Sequence, residues 1–179
     1  MVYLFLANGF EEIEALATLD ILRRVGIDIK TVGIGGQNIT GAHGICVKSD
    51  VSEDDIDYNN ITAVILPGGM PGTTNLLNSK TVEKAVLTAN QNGKLVAAIC
   101  AAPIVLGKLD LLNNKEATCF PGFEGKLNGA KLLGQKVCRS GNIITATAAG
   151  AAIDFALKIV EYLTSAQTAE KLKNELKYN

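Results

Sequence analysis

Two rhythms of apolar residues run along this chain. The first is short and unbroken: Val2–Ala7, Thr62–Leu66 and Leu95–Ile99 are almost wholly apolar, with Asn8, Pro67 and Cys100 following them. Such runs predict strands buried on both faces, as in a parallel sheet. The second rhythm has helical spacing. Glu11–Arg24 carries three carboxylates at its start, two arginines at its end and Gly26 beyond, the charge order that complements a helix dipole. Ser79–Asn92 places Val82, Ala85, Val86 and Ala89 on one face and stops at Gly93, as a helix does. Ile153–Leu163 and Ala169–Lys177 predict two more helices. Between these, Ile27–Ile34 alternates as a strand, and the turn-rich Gly35–Lys48 predicts a small hairpin. Ser52–Asp57 reads as an acidic connection or short helix, and Glu116–Phe120 as a short strand. Pro121–Glu124 opens a short helical or irregular piece. Lys136–Arg139 and Asn142–Ala146 flank Ser140-Gly141, a two-residue hairpin signal. A helix beginning at Pro103 is expected to run on to Asn114. Strands alternating with helices predict one open α/β domain over residues 1–179 with a largely parallel sheet.

Composition narrows the function. A chain of 179 residues with 47% hydrophobic and 20% charged residues is globular and not disordered. Its net charge of −1 gives no footprint for nucleic acid or an anionic membrane, and no apolar run reaches the length of a membrane span. The start, Met1–Ala7, lacks a basic segment and reads as the first strand instead of a secretory signal. A cytoplasmic location with reduced thiols is therefore expected. Cys46, Cys100, Cys119 and Cys138 form no C-x-x-C pair and His43 is the sole histidine, so no zinc site of ordinary type is expected.

The candidate chemistry sits at Cys100, between a strand and a helix whose first turn holds Pro103. In Ala98-x-Cys100-x-Ala102 small residues flank the thiol, as a sharp strand-to-helix elbow requires. Two readings stand: a nucleophile drawn toward thiolate by the helix N-terminus, and a buried structural cysteine. Ligands of open α/β sheets bind beyond the carboxyl ends of the strands. Asn8–Glu14, Pro67–Gly72 and Cys100–Pro103 all leave strands at that edge. If their strands are neighbours, a thiol, a carboxylate and backbone donors meet in one pocket. Gly68 and Gly69 suit a close approach of backbone, or only a tight turn. Glu11, Glu12 and Glu14 can each simply complement the helix dipole. One of them turned inward would be desolvated, retain its proton and exchange it with the thiol or a substrate.

Four blocks in order, Gly9–Ala15, Ile65–Gly69, Ala97–Pro103 and Asp154–Glu161, resemble the ThiJ/PfpI superfamily, in the branch of the Parkinson-disease protein deglycase and its bacterial counterparts. The resemblance covers nearly the whole chain. It implies a flavodoxin-like three-layer sandwich, a homodimer, and no metal or other cofactor. It also implies that Cys100 is the reactive cysteine and Glu14 the carboxyl group bonded to it, with Gly69 and Ala101 lending N–H groups to an anion pocket beside Gly68. The implied activity is that of a glyoxalase or deglycase on small dicarbonyls such as methylglyoxal, or on glycated proteins. The alternative is a redox-sensing stress protein or chaperone whose Cys100 is oxidised to sulfinate. Phe120 stands where many members of the superfamily carry a histidine, which disfavours a Cys-His peptidase or glutaminase. His43 is expected in a turn or at an interface. Cys119 reads as a resolving thiol or as an inert half-buried residue, and Cys46 and Cys138 as small hydrophobic residues in hairpins.

Overall fold

Every residue of the first strand, β1 (Val2–Leu6), is buried. In the computed structural model, which describes residues 1–178, Val2, Leu4 and Leu6 join one apolar cluster while Tyr3, Phe5 and Ala7 join another. Side chains alternate across a strand, so a strand apolar throughout needs a cover on each face. The chain continues through α1 (Glu12–Arg24), β2 (Ile29–Gly33), β3 (Asn38–Thr40), β4 (Cys46–Lys48), β5 (Val51–Ser52), β6 (Ala63–Leu66), α2 (Gly72–Asn78), α3 (Lys80–Gln91), β7 (Leu95–Ile99) and α4 (Pro103–Lys108). It ends with β8 (Glu116–Ala117), β9 (Lys131–Leu132), β10 (Val137–Ser140), β11 (Ile143–Ala146), α5 (Ala152–Leu163) and α6 (Ala166–Glu175).

Seven strands form the main sheet in the order β10-β11-β7-β6-β1-β2-β5. All neighbours are parallel except β10 with β11. The run β2-β1-β6-β7-β11 is the 2-1-3-4-5 order of a flavodoxin-like doubly wound sheet. Residues of α1, α5 and α6, among them Leu22, Phe155 and Leu172, cover one face. Leu76, Val86 and Ile104 from α2, α3 and α4 cover the other, completing the expected three-layer sandwich. Each fully buried Leu or Phe in these layers contributes about 1.5–3 kcal/mol. The strand order reverses at β1, with β2 on one side and β6 on the other. Connections leaving β1 and β6 therefore diverge and open a crevice at their carboxyl ends. No helix among the described residues is long and apolar enough to cross a membrane.

Several expected boundaries move. The helix after the elbow ends at Lys108, and 109–114 is a series of turns. The hairpin between β10 and β11 pairs Ser140 with Ile143, so its two loop residues are Gly141 and Asn142, one position later than expected. The strand at 116–120 is confined to Glu116–Ala117. Cys138 is buried on β10 as expected, whereas Cys46 is exposed on β4. Helix α2 was not legible, because its sequence Gly72-Thr73-Thr74-Asn75-Leu76-Leu77-Asn78 has few helix formers. It is held instead by burial of Leu76 and by the bond from the Thr73 N–H to the Gly69 carbonyl, 2.8 Å.

Candidate active site

Strands β1, β6 and β7 are neighbours, so the three connections at their carboxyl ends meet. Cys100 follows β7 with φ 64, a left-handed conformation that costs a non-glycine residue about 1–3 kcal/mol. It persists because both of its backbone groups are held. The Cys100 N–H donates to the Ala146 carbonyl at 2.9 Å, and its carbonyl accepts the Phe120 N–H at 2.8 Å. The turn aims the sulfur at the crevice, where the N–H groups of Ala101 and Gly69 point to it.

Glu14 reaches the same place from the first turns of α1. It is 1% exposed, and its Oε2 accepts the Gly68 N–H at 2.8 Å. Gly68 is wedged between the thiol and the carboxyl group: a Cβ there would stand 2.6 Å from Cys100 Cβ and 2.8 Å from Glu14 Oε2. Gly69 has φ +88, a conformation open to glycine at no steric cost, and its N–H faces the sulfur. The Glu11 N–H donates to the Gly68 carbonyl at 2.9 Å, tying the start of α1 to the loop after β6. Cys100, Glu14, Gly68, Gly69 and Ala101 are thus brought together in one crevice.

Charge in this crevice is governed by burial. Glu14 is raised to about 7, first by desolvation and against the pull of the Gly68 N–H and the thiol. Cys100 is pushed up to about 12, again by burial first and then by the charge of Glu14. The helix N-terminus does not draw the thiol toward thiolate as expected: helix α4 has only six residues, so its dipole is short and burial outweighs it. Carboxyl and thiol are close enough to shift one another, although the buried Oε1 of Glu14 completes no well-formed hydrogen bond. The pair titrates together. One proton leaves near neutrality and the second only at high pH. In the singly protonated pair the N–H groups of Gly69 and Ala101 favour the thiolate, and the Gly68 N–H favours the carboxylate.

His43 is in a turn, as expected, but the turn lies over the start of α1. Its N–H donates to Glu12 Oε1 at 2.8 Å and its Nδ1 lies 2.9 Å from Glu12 Oε2. Glu11 Oε2 is 3.7 Å from the same nitrogen. Glu11, Glu12 and His43 offer three ligand atoms within 4.8 Å of one another, a set that can be tried for a metal ion. The Glu12 oxygens, however, are already taken by the imidazole and by the His43 and Ile45 N–H groups. No sequence signal links His43 to Glu12, because 31 residues separate them and one of the two bonds is made by backbone. Cys119 is buried and free, and burial, then Glu124, pushes its thiol up to about 11, which does not favour attack on an oxidised partner. An open groove of about 550 Å³ lined by Lys136, Asp154, Lys158 and Glu161 contains none of these groups.

A sequence profile of the DJ-1/PfpI family matches residues 1–162. Protein DJ-1 homolog B of Arabidopsis thaliana is 35% identical over 173 residues, which is 95% of this chain and 40% of that protein. The chain therefore spans less than half the length of that relative. The glutathione-independent glyoxalase DJR-1.2 of Caenorhabditis elegans is 32% identical over 168 residues, 93% of this chain and 89% of that one. Among solved structures, oxidized DJ-1 of Toxoplasma gondii is similar with a TM-score of 0.95 and 32% identity, covering 99% of this chain and 97% of its own.

Proposed function

The chain belongs to the DJ-1/PfpI family, and from that premise we propose that it is a cysteine-dependent glyoxalase or deglycase for methylglyoxal-type dicarbonyls or their protein adducts. The observation that carries this reading is the sulfur at a left-handed elbow, faced by two backbone donors and a buried carboxyl group raised to about 7. Cys100 thiolate adds to the aldehyde carbon, and the oxygen that takes up the electron pair is held by the Gly69 and Ala101 N–H groups. Glu14 gives its proton to that oxygen and then, as the carboxylate, removes the proton from the same carbon and returns it to the neighbouring one through an enediol, the hydroxyl proton passing to the former ketone oxygen. The product is a thioester of a 2-hydroxy acid, which water hydrolyses to the acid and free Cys100. The aldehyde carbon is oxidised and the ketone carbon reduced within one molecule, so the reaction needs no external redox partner. Assembly as a homodimer belongs to the same proposal. The exposed Ile13, next to Glu12, and Ile45, whose own N–H donates to Glu12 Oε1, are apolar surface that a second copy would cover.

The test is release of lactate from methylglyoxal without added thiol. Cys100→Ser is expected to abolish it, and full retention of rate overturns the reading.

One observation favours a second role. Oε1 of Glu14 is buried and unpartnered beside a sulfur that two backbone N–H groups face. A sulfinate formed there by peroxide would meet the Gly69 and Ala101 N–H groups and a protonated Glu14. The solved relative from Toxoplasma gondii is an oxidized DJ-1. Mass spectrometry after mild peroxide is expected to find oxidation concentrated at Cys100. Oxidation spread evenly over the four cysteines removes this role.

A further inference from the structure

Two large apolar side chains stand in the open on residues whose backbone adjoins the thiol site: Phe120 is 43% exposed and Met70 is 51% exposed. Each is tied through the backbone to the sulfur's surroundings. Phe120 donates its N–H to the Cys100 carbonyl at 2.8 Å, and Met70 directly follows Gly69, whose N–H faces the sulfur. Neither side chain is needed to hold those backbone bonds. Phe120 packs edge-on against Phe123 with ring centres 6.4 Å apart, and the Thr74 hydroxyl lies 3.9 Å from Met70 Sδ. Glu11 also lies at the Gly68–Gly69 loop, bonded through its N–H to Gly68, paired with His43 at 3.7 Å and close enough for its charge to act on Glu14.

We propose that Met70 and Phe120 form an apolar subsite for the substituent carried by the dicarbonyl, so that the site takes uncharged 2-oxoaldehydes bearing an aryl or branched alkyl group in preference to methylglyoxal. The proposal rests on the reading of Cys100 as the nucleophile that adds to the aldehyde. A methyl substituent offers one carbon to cover. A phenyl ring removes several times that area from water and adds ring–ring and sulfur–ring contacts. The carboxylate of Glu11 acts against an anionic substituent.

The first readout is the ratio of kcat/KM for phenylglyoxal to that for methylglyoxal. The unaltered protein is expected to favour phenylglyoxal by about tenfold or more. Phe120→Ala and Met70→Ala should each lower the ratio several-fold, with Phe120→Leu in between, while Leu132→Ala, at an exposed apolar residue on β9, leaves it unchanged. The second readout needs no turnover: the rate of Cys100 alkylation by N-benzyl iodoacetamide relative to iodoacetamide, in the same variants. A ratio near one in the unaltered protein, or a ratio that Phe120→Ala and Met70→Ala do not move, overturns the subsite. So does an equal fall with Leu132→Ala. Absence of lactate together with a benzyl preference that Phe120→Ala erases leaves the subsite standing and removes only the glyoxalase reading.

Discussion

Glu12 and Glu14 lie two residues apart at the start of α1, are 5% and 1% exposed, and hold their protons in opposite ways. Burial pulls both upward. At Glu12 it is outweighed by bonds from the His43 imidazole and from the His43 and Ile45 N–H groups, which hold the carboxylate below its ordinary range. Glu14 has only the Gly68 N–H and a thiol to set against desolvation, and rises to about 7. The position of the two groups explains the rest: Glu12 lies just under the β3–β4 turn, while Glu14 lies deeper, at the edge of the sheet. Covering a carboxyl group does not decide its charge; the number of donors supplied with the cover does. One of these carboxylates is a tether for a loop, and the other is a proton store beside a thiol.

The largest effect should come from removing that store. Glu14→Gln retains an acceptor for the Gly68 N–H but cannot release or take up a proton. Turnover is expected to fall by about 10²–10⁴-fold, the range for a lost general acid–base. Cys100 alkylation should lose the step near pH 7 that the shared proton gives it, leaving one step at higher pH set by burial. A Glu14→Gln protein whose alkylation profile still steps near pH 7 would show that the thiol titrates alone, and the contrast with Glu12 would lose its functional meaning.

How far this pair could be read in the sequence depends on the kind of bond involved. The apolar runs of β1, β6 and β7 and the small residues around Cys100 were legible because burial on two faces and a tight elbow leave few residue types. Which of three carboxylates turns to the thiol was not legible from spacing, since Glu12 and Glu14 are both buried, and only the family resemblance singled out Glu14. The link from His43 to Glu12 had no signal at all. Helix ends show the same divide. Helix α1 stops with Gly26 at φ 75, where the Ile27 N–H returns to the Leu22 carbonyl. Helix α4 stops by the same pair of bonds, Leu111 N–H to Leu106 and Asp110 N–H to Gly107, with Asp110 at φ 55. Glycine advertises that left-handed stop and aspartate does not, so the expected helix ran on to Asn114.

The smaller effects concern stability against pH, where the two carboxyl groups should give slopes of opposite sign. Glu14 is raised from 4.5 to about 7, so the native state binds more protons than the unfolded one between those values. Its contribution is full below pH 4.5 and is lost as pH rises through 7, a change of about 3 kcal/mol at 1.36 kcal/mol per unit. Glu14→Gln should flatten that fall in urea denaturation. Glu12 is lowered, so its contribution is present above pH 4.5 and is lost as pH falls through its folded value. Glu12→Gln should therefore lower stability at neutral pH by about 2 kcal/mol, the worth of hydrogen bonds to a charged acceptor, and shrink the difference from the unaltered protein in acid. The sharpest outcome is a pair of difference curves that cross between pH 4 and 8. Two curves of the same sign would mean that one carboxyl group has been assigned the wrong charge.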